Sequence, residues 1–136
     1  MVVVRLNWGG PREGAVAAAR GLGNTIIAYR EKAMAEEATY ALRLDLDGGR
    51  WKLVKPADRT MPAVEDATAL AEGNLQAPLR FGEVCRGTEA LSSCVVVFLG
   101  PKGILPDLSI EILGGSGHAV TVRPDPVVNE VSYEER

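Results

Sequence analysis

The apolar rhythm of this chain changes within two residues, and that change restricts the fold more than any other feature. Up to Glu37 apolar residues recur every three or four positions, the period of a helix; from Thr39 to Asp47 they alternate, the period of a strand. Tyr40, Leu42, Leu44 and Leu46 fall on one face; Ala41, Arg43, Asp45 and Asp47 fall on the other. Asp47-Gly48-Gly49-Arg50 then predicts a two-residue hairpin turn, because glycine accepts the positive φ such turns need. Trp51 and Leu53 return on the apolar face. A helix that delivers the chain straight into an antiparallel hairpin is expected to pack on the sheet that the hairpin starts.

The helix is predicted over about residues 12–37. Trp8-Gly9-Gly10 breaks structure, and Pro11 suits a first helical turn. Ala15, Ala18, Leu22, Ile26, Tyr29 and Ala33 make a narrow stripe of mostly small residues, expected to face the sheet. Gly21 and Gly23 weaken the helix by about 1 kcal/mol each relative to alanine, so it needs packing from the rest of the chain. Val16, Arg20, Gly23, Ile27 and Arg30 make up the other face.

Beyond Leu53 the signals are shorter. Pro56, Pro62, Gly73 and Pro78 mark a long loop-like connection, with a short helical turn between Val64 and Leu70. Strands are predicted at Leu79 to Cys85, at Val95 to Leu99 (buried on both sides), at Leu108 to Ile112, around Val120 and Val122, and near Val127 to Tyr133. Gly100 to Gly103 and Gly114 to Gly117 are turns. The β region spans about residues 39–133. One helix followed by about seven strands is an α+β arrangement, the helix on one face of antiparallel sheet.

At 136 residues the chain fits one domain, and 46% apolar with 24% charged residues describes a folded globule. The net charge of −3 and 5% aromatics argue against a nucleic-acid module, which needs a basic face and stacking rings. No run of about 18 apolar residues spans a membrane. Met1-Val2-Val3-Val4-Arg5-Leu6 reads equally as a first strand or as the end of a longer apolar segment. Cys85 and Cys94 are spaced to close a short loop by a disulfide in an oxidising compartment; the alternative is two buried thiols.

No catalytic constellation stands out. His118, the only histidine, has no companion for a zinc site or a nucleophile triad and is expected in a loop. Asp45 and Asp47 begin like a calcium loop, but Arg50 and Trp51 stand where further oxygen ligands belong. Gly114-Gly115-Ser116-Gly117 lacks the lysine and following helix of a phosphate loop and reads as a hairpin turn. The acidic pairs Glu36/Glu37, Glu65/Asp66 and Glu134/Glu135 read as surface charge. No cofactor and no metal are expected.

Four segments in order carry a resemblance. They are Ala28-Tyr29-Arg30-Glu31-Lys32-Ala33 at the helix end, Leu42 to Trp51 across the first hairpin, Val96-Val97-Phe98-Leu99-Gly100-Pro101-Lys102-Gly103, and Leu108 to Ile112 with Ala119 to Val122. Together they resemble the GspH-type minor pseudopilins of type II secretion and the related minor pilins of type IV pili, over about residues 15–132. The resemblance implies a pilin-like fold, with residues 1–11 a truncated N-terminal segment and 12–136 the globular domain. It implies a structural, non-enzymatic subunit of a periplasmic pseudopilus, near its tip, that helps export folded proteins. An apolar helix outside this chain would anchor it in the inner membrane. The implied partners are other major and minor pseudopilins, the inner-membrane assembly platform and secreted substrates. The alternative is a type IV minor pilin whose loops bind a ligand. A periplasmic setting favours the Cys85–Cys94 disulfide. The face of Val16, Arg20, Gly23, Ile27 and Arg30 becomes the expected subunit interface, with Ile27 its apolar contact.

Overall fold

The computed structural model describes residues 11–136 apart from Ser116; side chains in the helix are described from Gly14 onward. The opening run Met1 to Leu6, the Trp8-Gly9-Gly10 break and the expected truncated segment lie outside the described residues. Helix α1 spans Pro11–Glu36. Strands β1 (Tyr40–Asp45) and β2 (Arg50–Val54) follow, then a short helix α2 (Met61–Asp66) and β3 (Ala69–Asn74). The remainder is β4 (Arg80–Arg86), β5 (Glu89–Leu91), β6 (Cys94–Leu99), β7 (Leu108–Leu113), β8 (Ala119–Pro124) and β9 (Val131–Glu135).

The strands form two antiparallel sheets. The first runs β3-β2-β1-β6 and the second β5-β4-β7-β8-β9. The register of the first follows the alternation in the sequence: Leu42 lies opposite Leu53 and Val97, and Leu44 opposite Trp51 and Val95. Those inward residues join Ile110, Ile112, Val120 and Val122 of the second sheet in one core beneath α1. Burying each such side chain contributes about 1.5–3 kcal/mol, so the core dominates stability. The Val95 to Leu99 strand is covered on both sides, as expected. Val95, Val97 and Leu99 face the main core, while Val96 and Phe98 pack with Ala41, Val54 and Val64 under α2.

Three segments depart from the sequence reading. Residues 56–78 are not a plain connection. Thr60 caps α2, its Oγ1 accepting from the Ala63 amide at 3.2 Å, and Ala69–Asn74 pairs with β2 as an edge strand. The hairpin turn is not two residues long. Asp45 pairs with Arg50, so four residues turn the chain, with Gly49 at φ +64°. Asp45 closes the turn by accepting from the Gly48 amide at 3.0 Å and pairing with Arg50 at 3.2 Å. Those contacts hold its carboxyl below the usual range, and the amide contributes most. The last strand begins at Val131 rather than Val127, because residues 125–130 form a tight loop closed by Asp125.

The helix phase also differs. Ala15, Ala19, Leu22, Gly23, Ile26, Arg30 and Ala33 are the buried positions. Ala18 and Tyr29, expected in the stripe, are half-buried at its flank. The helix runs chiefly along β8 but touches β1, β6, β7 and β9 too. A helix in contact with two sheets buries a wider face than one resting on a single sheet.

Candidate functional site

The five residues expected to contact a neighbouring subunit lie on a face that the chain largely covers itself. Gly23 is buried beneath Tyr133 of β9; a Cβ there would overlap the tyrosine hydroxyl. Arg20 is exposed, its guanidinium 4.9 Å from the centre of the Tyr133 ring, a cation–π contact. Val16 is half-buried against the core. Ile27 is half-buried, and its carbonyl accepts from Asn129 Nδ2 at 3.0 Å. Arg30 is wholly buried. The assignment of Gly23 and Arg30 to a subunit interface is therefore corrected: β9 and the loop before it close over that face. Residue spacing along the helix gave no sign of this, because the covering strand comes a hundred residues later.

Arg30 instead clasps two loops. Its Nε donates to the Gly103 carbonyl at 2.7 Å, and its Nη1 donates to the Asp125 carbonyl at 2.6 Å. Burial pushes the guanidinium pKa down and Asp125 opposes the shift, yet a guanidinium stays charged in a protein. The Asp125 Oδ1 accepts from the amides of Val127 and Val128 at 2.9 and 2.8 Å, which lowers its own pKa. The Leu105 amide donates to the Pro126 carbonyl at 2.9 Å, tying the loops to each other. Loop 100–107, between β6 and β7, and loop 125–130, between β8 and β9, thus form one unit at the C-terminal end of α1. Ile104, Val127 and Val128 on this unit are exposed, at 63%, 73% and 52%.

Both cysteines are free thiols, not the disulfide that the resemblance implied. Cys85 lies on β4 of the second sheet, opposite Ser109; Cys94 opens β6 of the first, opposite Asp45. Partial burial, followed by the nearby Glu83, pushes the Cys85 thiol pKa up, the opposite of what a nucleophile needs. His118 is a loop residue, as expected, but not without a partner. It is half-buried just before β8, with Nε2 3.3 Å from the Glu135 carboxylate on β9.

A cavity of about 600 Å³ opens beside the first hairpin, lined by Arg43, Asp45, Arg50, Trp51, Lys52 and Glu72 among others. Arg43 is held by Glu65 of α2 at 2.5 Å, and Arg50 by Asp45. Lys52 lies opposite Glu72 across the β2–β3 ladder, so the lining carries both signs of charge. Among the described residues no group of histidine, cysteine and carboxylate side chains is placed to hold a metal ion. No described helix is long and apolar enough to cross a membrane.

A long N-terminal helix laid on two antiparallel sheets gives the chain a pilin-like fold. Its shape is similar to two structures of the minor pseudopilin EpsH from the type II secretion system of Vibrio cholerae. One has a TM-score of 0.69 at 12% identity, covering 90% of this chain and 94% of that one; the other has 0.65 at 14%, covering 90% and 96%. It is similar as well to the type IV minor pilin FimU of Pseudomonas aeruginosa, with a TM-score of 0.65 at 14% identity over 90% of each chain. No protein-family model and no curated relative matches the chain.

Proposed function

We propose that this chain is a structural minor pseudopilin, which acts by assembling with other pilin-like subunits rather than by catalysis. The carrying observation is a match of shape to minor pseudopilins over 90% of the chain. In this reading the domain stands in the periplasm, tethered to the inner membrane by an apolar helix outside this chain. It joins major and minor pseudopilins near the tip of a short filament. The inner-membrane platform builds that filament, and its growth drives folded substrates outward. Each subunit contact is modest, and the polymer sums them.

A second reading, a minor pilin of a type IV pilus, is favoured by the likeness in shape to FimU, whose TM-score of 0.65 equals that of one EpsH structure. Deleting the gene in its native host separates the two. Loss of protein export with pili intact supports the pseudopilin, and loss of pili with export intact supports the minor pilin. A deletion strain normal in both removes the assembly reading altogether.

A further inference from the structure

Many surface cations of this chain are paired with carboxylates. Arg43 is held by Glu65, Arg50 by Asp45, Arg123 by Glu134 and Arg136 by Glu111, while Lys32 and Lys55 share Glu36. Arg59 and Lys102 are not: among the described residues neither pairs with a carboxylate, and both line one cavity of about 240 Å³. The rest of its lining is Phe98, near the end of β6, and the turn from Gly100 to Ile104, so no carboxylate faces the two charges. In a chain of net charge −3, a cavity lined by positive charge alone stands apart.

Arg59 is held in place without spending its donors. Its guanidinium lies 5.2 Å from the centre of the Phe98 ring, a cation–π contact. It also rests against Gly100, where a Cβ would come within 2.7 Å of Nη2. An aromatic face and a glycine thus position the group, and among the described residues its N–H groups make no hydrogen bond. A guanidinium presents such donors as a planar fork that matches two oxygens of one anion.

The backbone and the nearby acid do not oppose an anion. The Gly103 amide closes the turn by donating to the Gly100 carbonyl at 3.1 Å, and the Gly103 carbonyl accepts from Arg30 Nε at 2.7 Å. Both glycine carbonyls of the turn are therefore engaged. Asp58, the carboxylate next to Arg59 in sequence, accepts from the Thr60 amide and hydroxyl at 3.0 and 2.6 Å.

Charge and volume select the ligand. Two unpaired cations are neutralised by a dianion, and a phosphate monoester carries about −1.5 to −2 near pH 7. A carboxylate brings one charge and leaves the second cation unanswered. At about 30 Å³ for each water-sized atom, the cavity holds more than the phosphorus and oxygens of a phosphate group. The remaining room, beside Pro101 and the exposed Ile104, suits the carbon that an ester oxygen carries.

We propose that Arg59 and Lys102, with the Gly100 to Gly103 turn, form a binding site for the tetrahedral dianionic group of a small phosphate or sulfate monoester. Arg59 supplies the planar fork and Lys102 the second charge. The site is independent of the assembly reading above.

The test is a heteronuclear NMR titration of the 136-residue chain at constant ionic strength in sodium chloride. The probes are inorganic phosphate, inorganic sulfate, glycerol 3-phosphate and acetate. Phosphate is expected to give saturable shifts at Gly100, Lys102, Gly103 and the Arg59 side chain, with a Kd of about 1 mM or tighter. Acetate is expected to bind at least about tenfold more weakly. Arg59→Gln and Lys102→Gln are each expected to lower phosphate affinity about tenfold, with melting within about 2 °C of wild type. Gly100→Ala keeps every charge but displaces the guanidinium, and is expected to weaken binding as much. Arg86→Gln, an exposed cation on β4, is expected to leave binding unchanged. No saturable shift, acetate bound as tightly as phosphate, or wild-type affinity in Arg59→Gln or Gly100→Ala overturns the proposal. Phosphate bound with glycerol 3-phosphate refused overturns the ester. Tighter sulfate assigns a sulfate ester and tighter phosphate a phosphate ester, and either supports the site. If Gly100→Ala melts early, Arg59→Lys replaces it; it keeps the charge without the fork and is expected to lower affinity a few-fold.

Discussion

Arg30 Nε donates to the carbonyl oxygen of Gly103 across 2.7 Å, joining a helix to a loop 73 residues further along the chain. The same guanidinium reaches Asp125, so one buried side chain fixes the end of the helix to both loops that carry the exposed apolar surface. Arg30→Met is expected to destabilise the domain by about 3 kcal/mol, because two charge-assisted bonds are lost and their carbonyls left without donors. Arg30→Lys is expected to fall between the two, since an ammonium is a point charge without the planar fork. Urea unfolding midpoints measure both. Midpoints unchanged in Arg30→Met would show that the loops are held by something else.

Gly21 and Gly23 stand two residues apart on α1 and are predicted to respond oppositely to alanine. Gly21 is exposed, and a Cβ there meets nothing, so Gly21→Ala is expected to stabilise by up to about 1 kcal/mol through helix propensity. Gly23→Ala pushes the Tyr133 ring off the helix and is expected to cost about 1–2 kcal/mol. In a Tyr133→Ala background the obstruction is gone, and Gly23→Ala is expected to become stabilising. A double-mutant cycle by thermal melting checks the reversal of sign; additive values would mean that Tyr133 does not set the cost.

The Tyr40 hydroxyl donates to the Glu36 carboxylate at 2.6 Å, and that bond is the main reason its pKa is pushed up to about 12. The folded value lies above the unfolded one of about 10, so the neutral hydroxyl favours the folded state. Its contribution is complete below pH about 10 and is lost as the pH rises through about 12. Tyrosinate absorbance of the folded protein is expected to show a late ionisation that Tyr40→Phe removes. Tyr40→Phe is expected to flatten the alkaline limb of the stability curve. An alkaline end of the titration left unchanged by Tyr40→Phe would contradict this.

Cys85 and Cys94 are expected to remain thiols. Alkylation of unfolded, unreduced protein secreted to an oxidising compartment is expected to modify both. In the native protein Cys85 is expected to react more slowly than a free thiol, since its pKa is raised. A crosslinked Cys85–Cys94 peptide in the mass spectrum would restore the disulfide.

How much of this protein its sequence determined can be seen element by element. The alternation from Tyr40 to Leu46, and that of Leu108 to Ile112, placed each side chain on its correct face, because a strand's period of two separates the residues of its two faces. The long helix and its turn into the first hairpin were legible for the same local reason, whereas the pilin-like class came from the resemblance of four segments in order. β3 was not legible: Ala-Leu-Ala-Glu-Gly-Asn has little strand propensity and is a strand because β2 offers it an edge. The helix face was not legible either. Periodicity shows that a stripe is buried but not how wide it is, and the width here is set by β8, β9 and Tyr133, which arrive after about a hundred intervening residues. Arg30 looked like a surface cation because arginine usually is one; only the folded chain brings two loop carbonyls within reach of its guanidinium. Local patterning therefore decided which elements form and which faces are apolar, since those depend on neighbours in sequence. Tertiary structure decided which faces are covered and which apolar side chains stay exposed, since those depend on contacts that no local window contains.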